Sequence, residues 1–316
     1  MDKVKKYLPY VFLGFLFILP LLPISSYYMH IFILCIMWSV IGMAWNLLSG
    51  YTGQVSFGHA AFFGMGAYSA GLIYFHLKIN AWWGIPLSII TVLIFSLILG
   101  FIVLRLRGPY FALATLASGE ILRITSENLT GFTQGDLGIM LEKRTWVDKT
   151  YYYYIILVFA IAVAFTIQRI VKSRWGYYFV AIRENQDAAE SLGINTTLYK
   201  TIALSVSAVI TGLAGAFYTN YMGYIDPKVV FALHDISIIT IMVVMVGGVA
   251  TYWGPTVGAI IMVLLAEIIR SNFKQLEAAH QTLFGVLLIV IIIFLPNGIV
   301  GDFDKIKKIF RFGGKS

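Results

Sequence analysis

The sequence predicts an all-α fold, a polytopic transmembrane bundle of about ten helices forming one domain over residues 1–316, and three observations predict it. Charged residues make up 12% of the chain and hydrophobic ones 59%, with a mean hydropathy of +0.83, whereas a soluble domain carries roughly 25% charged residues. The apolar residues arrive in long blocks, such as Trp83 to Leu104 and Leu283 to Leu295, and blocks of roughly 20 residues match the hydrocarbon core of a bilayer. Lys and Arg gather in short clusters beside those blocks. In lipid a segment has to satisfy its own backbone, and blocks this continuous do not suit alternating barrel strands, so the spans are helices.

Taken in order, hydropathy places the crossings near 8–23, 30–48, 59–77, 83–104, 110–125, 152–169, 200–220, 235–250, 255–270 and 280–296. The first follows Lys3, Lys5 and Lys6 as in a signal peptide, but no small-residue cleavage site is clear and more spans follow, so it reads as a retained helix. With both termini cytoplasmic, 15 of the 23 Lys and Arg fall on the inner side, among them Arg105, Arg107, Arg169, Lys172, Arg174, Arg183 and Lys200. The positive-inside rule selects that orientation in a cytoplasmic membrane, and it accounts for the net charge of +8 better than nucleic-acid binding does. Cys35 is the lone cysteine, so neither a disulfide framework nor a thiolate metal site can be assembled. The largest outer loop, about 126–151, carries turn formers at Gly131, Gly135 and Gly138 and reads either as a docking surface or as a plain connector.

Three segments break the apolar pattern. The first runs from Asn46 to Tyr68 without a charged residue. Asn46, Gln54, Ser56 and His59 are costly at membrane depth unless they meet water, substrate or other helices, which makes them candidates for lining a translocation pathway. Gly53, Gly58 and Gly64 allow close helix packing. A broken segment lining a cavity and a tight helical hairpin both fit. His59 reads as a packing or capping residue or as a pathway group; no second histidine or carboxylate stands at metal-ligand spacing beside it, so no metal is expected.

The second segment is the inner loop of about 170–199. Asn185 or Gln186 can start a short helix whose first turn holds Asp187, where negative charge suits the helix dipole, and Leu192-Gly193 can stop it. The third, Gly247 to Gly258, combines a Gly254-Pro255 break with a Gly-x-x-x-Gly spacing at Gly254 and Gly258, and suits a tight turn followed by close helix packing. Two charge pairs, Glu120 with Arg123 and Glu267 with Arg270, stand three residues apart and read as self-neutralising pairs or as contacts for the charged ends of an amino acid.

Asp187-Ala188-Ala189-Glu190-Ser191-Leu192-Gly193 resembles the EAA motif of ABC importer permeases, with Asp in place of the usual Glu. Trp45 through Phe62, Ala181-Ile182-Arg183-Glu184 with Ala189 and Leu192-Gly193-Ile194, and Gly247-Gly248 with Trp253-Gly254-Pro255 resemble LivM-type branched-chain amino acid permeases over roughly residues 35–297. The wording Ser56 to Phe62 is closer to the LivM type than to its LivH-type companion, and permeases for urea or short amides share much of the pattern. The resemblance implies a channel-forming subunit for Leu, Ile or Val rather than an enzyme. It implies Arg183, Glu184, Asp187, Ala188, Ala189, Leu192 and Gly193 as the contact with an ATPase, and as partners a LivH-type permease, two ATP-binding subunits that hold the ATP and magnesium, an extracytoplasmic binding protein and membrane lipid.

Gly314-Lys315-Ser316 matches only the end of a P-loop, because Ile309 stands where the first glycine belongs, so this chain is expected to bind no nucleotide itself. An ion-coupled transporter would show more mid-membrane carboxylates or histidines and paired broken helices. An intramembrane enzyme would need a nucleophile with a base, or a metal cluster, and neither is evident in the sequence.

Overall fold

The computed structural model describes residues 14, 16–142, 145–272, 285–286, 289, 293 and 297–302. Of the expected first crossing, 8–23, residues 14 and 16–23 are described and the helix there ends in a 3-10 turn at Leu19–Leu21, while most of the last crossing, 280–296, and Gly314-Lys315-Ser316 lie outside the described residues. The bundle is built from α1 (Ser26–Trp45), α2 (His59–Leu77), α3 (Gly84–Val103), α4 (Pro109–Asn128), α5 (Lys149–Lys172), α6 (Arg174–Glu184), α7 (Gln186–Ser191), α8 (Thr196–Met222), α9 (Ile239–Gly247) and α10 (Gly254–Asn272). A two-stranded antiparallel sheet pairs β1 (Ile139–Met140) with β2 (Tyr224–Ile225), Ile139 opposite Ile225.

Seven spans among the described residues are long and apolar enough to cross a membrane: Ser26–Tyr51, His59–Leu77, Ala81–Val103, Lys149–Lys172, Thr196–Met222, Pro227–Gly247 and Gly254–Ser271. An eighth, α4, has 20 residues but carries Glu120, Arg123 and Glu127. Each of the eight inner crossings expected from hydropathy thus has its helix. Most of the helices are longer than their apolar blocks, because polar residues at the ends still hydrogen-bond within or cap the helix. Asp148 caps α5 by accepting from the Thr150 N–H at 3.0 Å, and Asp226 accepts from the Lys228 N–H at 2.7 Å, so the seventh span begins at Pro227 rather than near 235.

The span containing α1, together with α2 and α8, is the most buried and forms the centre. α2 and α8 share the most extensive contact in the bundle, and glycines permit it. A Cβ at Gly66 would strike the Gly212 carbonyl of α8, and one at Gly215 would strike the Phe63 carbonyl of α2. With little hydrophobic drive between helices in lipid, such backbone approach supplies the packing. α3 lies outside this core and turns Ile90, Ile94, Ile98 and Phe101 outward, one apolar stripe at helical spacing.

Contacts sort the connections into two ends. At one, β1 pairs with β2, Lys228 lies 3.3 Å from Asp136, and Lys149 Nζ donates to the Ser26 carbonyl at 3.0 Å. The loop of 126–151 is therefore folded back onto the start of the seventh span. At the other end Arg107 bonds Asp187 at 2.8 Å. These sets are the ones that alternating crossings put together.

Candidate translocation and coupling site

The chain between α1 and α2 is a broken segment. α1 passes into a π turn, Asn46–Tyr51, and residues 53–57 have no regular structure before His59 starts α2. An irregular backbone at this depth needs partners other than its own helix, and side chains supply them. Ser49 Oγ donates to the Gln54 carbonyl at 2.9 Å and accepts from the Ser56 N–H at 3.2 Å. Trp45 Nε1 donates to the Ser56 carbonyl at 2.8 Å, and Ser56 Oγ accepts from the Gly58 N–H at 3.1 Å. From α4, Thr115 Oγ1 accepts from the Phe57 N–H at 3.1 Å. Ser237, on a second π turn at Leu233–Ile238, donates to the Phe57 carbonyl at 2.6 Å and accepts from the Ala60 N–H at 2.9 Å. Four elements thus hold one unwound stretch.

The candidate residues do not share one face of it. Ser56 and His59 are fully buried and Asn46 nearly so, while Gln54 is part-exposed beside the exposed Gly53 and Val55. His59 Nε2 lies 2.9 Å from Ser207 Oγ, and Ser207 Oγ donates to the Ala44 carbonyl at 2.7 Å. With that hydroxyl proton spent on Ala44, His59 carries its proton on Nε2, and Nδ1 is an acceptor with no donor among the described residues. His59 joins α2 to α8.

Asn46 reaches across to the third unusual segment. Its Nδ2 donates to the Thr251 carbonyl at 2.9 Å and its Oδ1 accepts from the Ala250 N–H at 2.8 Å, so one amide satisfies the turn between α9 and α10. The glycines crowd their neighbours: a Cβ at Gly58 would lie 3.1 Å from Thr115 Cβ, one at Gly64 would enter the Phe231 ring, one at Gly254 would strike the Gly248 carbonyl, and one at Gly258 the Val243 carbonyl.

The 170–199 loop is a helix pair. Ser173 Oγ caps α6 by accepting from the Trp175 N–H at 3.2 Å, and Asn185 Oδ1 caps α7 by accepting from the Ala188 N–H at 3.1 Å. α7 ends at Gly193, whose φ of +83° lets the Ile194 N–H return to the Ala189 carbonyl at 3.1 Å. Ala189 is buried against the bundle, whereas Glu184, Asp187, Ala188, Leu192 and Gly193 are exposed, and nothing lies within 4 Å of where a Gly193 Cβ would stand. Arg183, also exposed, reaches back to the broken segment. Its Nη1 donates to the Gly50 carbonyl at 3.2 Å, and a Cβ on Gly53, which has φ +72°, would lie 2.9 Å from its Cγ. The structure therefore brings one coupling candidate onto the broken segment.

Sequence reasoning missed the anchors. Lys200 is 1% exposed, and its Nζ donates to Gln186 Oε1 at 2.5 Å beneath α7. Glu190 Oε1 accepts from Thr196 Oγ1 at 2.5 Å and from Gln186 Nε2 at 2.8 Å, and these bonds hold its carboxyl below the usual range. Ser207, Ser237 and Thr115 also escaped notice; their spacing from Gly-rich segments carries no signal, since a serine on a helix bonds its own backbone as readily. On α4, Arg123 pairs with both Glu120 and Glu127, a triad where the sequence suggested a pair. Among the described residues no group of three His, Cys, Asp or Glu is placed to hold a metal.

A family model described as the permease component of the branched-chain amino acid transport system matches residues 27–292, the whole of the bundle described above. The chain belongs to this family. The permease is 27% identical over 290 residues to the high-affinity branched-chain amino acid transport system permease protein LivM of Salmonella typhimurium, a match covering 83% of this chain and 67% of that one. It is 24% identical over 334 residues to a probable LivM of Methanocaldococcus jannaschii, covering 87% and 95%. Against the Salmonella typhimurium LivH it is 23% identical over 286 residues, covering 84% and 91%. No solved structure matches the permease.

Proposed function

We infer that this permease is a channel-forming subunit of an ATP-driven importer that carries Leu, Ile or Val across the cytoplasmic membrane, both termini on the inner side. It works beside a LivH-type companion, two ATP-binding subunits and an extracytoplasmic binding protein. The observation that carries the reading is the pair of contacts made by α6 and α7: Asp187, Leu192 and Gly193 stand exposed as a docking surface, while Arg183, itself exposed, reaches back to the Gly50 carbonyl. Movement imposed on α7 by a nucleotide-driven partner reaches the broken segment through one rigid helix and one charge-assisted hydrogen bond. Asn46, Gln54, Ser56 and His59 belong to the segment that this movement would rearrange; the glycines at 53, 58, 64, 254 and 258 keep its neighbours close enough to move with it.

Reconstitution tests it. Proteoliposomes with this chain, the companion permease and the ATPase should take up leucine only with ATP and the binding protein. Uptake by this chain alone on an ion gradient would overturn the reading, and ATP-driven uptake of urea without leucine would replace the substrate while keeping the mechanism.

A further inference from the structure

A cavity of about 260 Å³ lies where α1, α8, the π turn Leu233–Ile238, α9 and α10 meet. Its floor is apolar, lined by Met37, Val243 and Met262, none more than 2% exposed. Three charged side chains share the lining: Asp235, Glu267 and Arg270. Asp235 stands on the π turn within the span Pro227–Gly247, exposed at the mouth of the cavity, and its carboxylate makes no hydrogen bond or ion pair to any described residue. A carboxylate inside a span is expensive in lipid and persists where it meets water or a positive group. π turns within helices concentrate at functional sites. Glu267 is already occupied: Tyr27 Oη donates to its Oε1 at 2.5 Å, and Arg270 Nη1 stands 3.8 Å from its Oε2. At that distance the pair makes no hydrogen bond, and the guanidinium, 73% exposed, keeps its donors open to a carboxylate.

An unpaired carboxylate, a guanidinium fork and an apolar floor in one cavity complement a zwitterion with an aliphatic side chain. Resting on the importer reading above, we propose that this cavity is a binding station for a free α-amino acid, its ammonium on Asp235, its carboxylate on Arg270 and its side chain over Met37, Val243 and Met262. The volume sits just under the range of roughly 300–1,000 Å³ usual for drug-sized ligands, which suits a small metabolite. Urea offers neither charged end nor apolar body and would leave most of these groups unused.

The test is binding of radiolabelled L-leucine to the assembled transporter in nanodiscs, without ATP and without binding protein. Saturable binding is expected, displaced by isoleucine and valine but poorly by leucinamide, which lacks the carboxylate, or by 4-methylpentanoate, which lacks the ammonium. Asp235→Asn and Arg270→Gln should each weaken leucine binding at least about tenfold, or about 1.4 kcal/mol. Asp235→Asn should also narrow the gap between leucine and 4-methylpentanoate, a change that general loss of structure would not produce. Elution of both variants as intact complexes with a wild-type thermal unfolding midpoint reports that they fold. Wild-type affinity in both variants, or leucinamide competing as well as leucine, overturns the station yet leaves the importer reading standing if ATP-driven leucine uptake persists. Loss of that uptake in the wild-type system strikes the importer reading itself.

Discussion

Arg183 Nη1 donates to the Gly50 carbonyl at 3.2 Å, linking the end of α6 to the unwound backbone between α1 and α2, 133 residues away in sequence. Glu184 holds the same guanidinium through Nη2 at 2.7 Å, so the fork is oriented on one side and spent on the backbone on the other. A flexible ammonium does not reproduce two directed contacts from one plane. Arg183→Lys and Arg183→Ala are therefore expected to lower ATP-driven uptake by roughly tenfold or more, the scale of losing one hydrogen bond from a charged group. ATP hydrolysis by the assembled complex should persist. Equal losses of uptake and hydrolysis would mean that Arg183 serves assembly instead of transmission.

The end of α7 separates backbone geometry from docking. Gly193 has φ +83° and open space around it, so Gly193→Asn, which tolerates the left-handed region, should keep both the helix stop and ATPase co-purification. Gly193→Ala should weaken the stop by about 1 kcal/mol, visible as faster amide exchange over residues 189–194. Gly193→Arg and Asp187→Lys should abolish co-purification of the ATPase while membrane insertion stays normal. Retention of the ATPase by both would remove the docking role.

Much of this fold was legible because lipid imposes a simple rule on sequence. The span His59–Leu77 begins and ends where hydropathy places it, since Gly58 and Lys78 bracket a run rich in small and apolar residues with no Asp, Glu, Lys or Arg. The short helix after Asn185 was legible from its cap and its glycine. What hydropathy does not encode is which way each helix is rotated. Ser207 Oγ reaches the Ala44 carbonyl, Ser237 Oγ the Phe57 carbonyl and Thr115 Oγ1 the Phe57 N–H, whereas Thr211 Oγ1 donates to the Ser207 carbonyl of its own helix. Only rotation and crossing decide which serine reaches across. Lys200 was readable as an inner-side charge, but its burial beneath α7 follows from a contact with Gln186 that spacing alone does not announce.

Asn46 fixes the α9–α10 turn from a distance of 204 residues. Asn46→Leu would strand the Ala250 N–H and the Thr251 carbonyl in a part-buried setting, at a cost of about 1 kcal/mol for each group, the low end of the range for unsatisfied groups because water reaches them in part. Thermal unfolding in detergent should move down by several degrees, with exchange rising first over residues 248–253. Asn46→Asp keeps the acceptor for Ala250 and loses the donor for Thr251, so it should fall between wild type and Asn46→Leu. An unchanged melting temperature in Asn46→Leu would show that the turn holds itself.

Glu190 gives α7 a dependence on acidity. Its carboxyl is held below the usual glutamate range by hydrogen bonds from Thr196 and Gln186, so the folded pKa lies below the unfolded one. The contribution of those bonds is fully present above the unfolded value of about 4.3 and is lost as pH falls through the folded value. Exchange over residues 186–191 should accordingly be flat from neutral pH down to about 5 and rise below about 4, after correction for the intrinsic pH dependence of exchange. Glu190→Gln keeps an acceptor without the titration, and should make α7 slightly more mobile at neutral pH while abolishing the acid-induced rise. If the rise survives in Glu190→Gln, the bonds from Thr196 and Gln186 do not govern the acid response of α7.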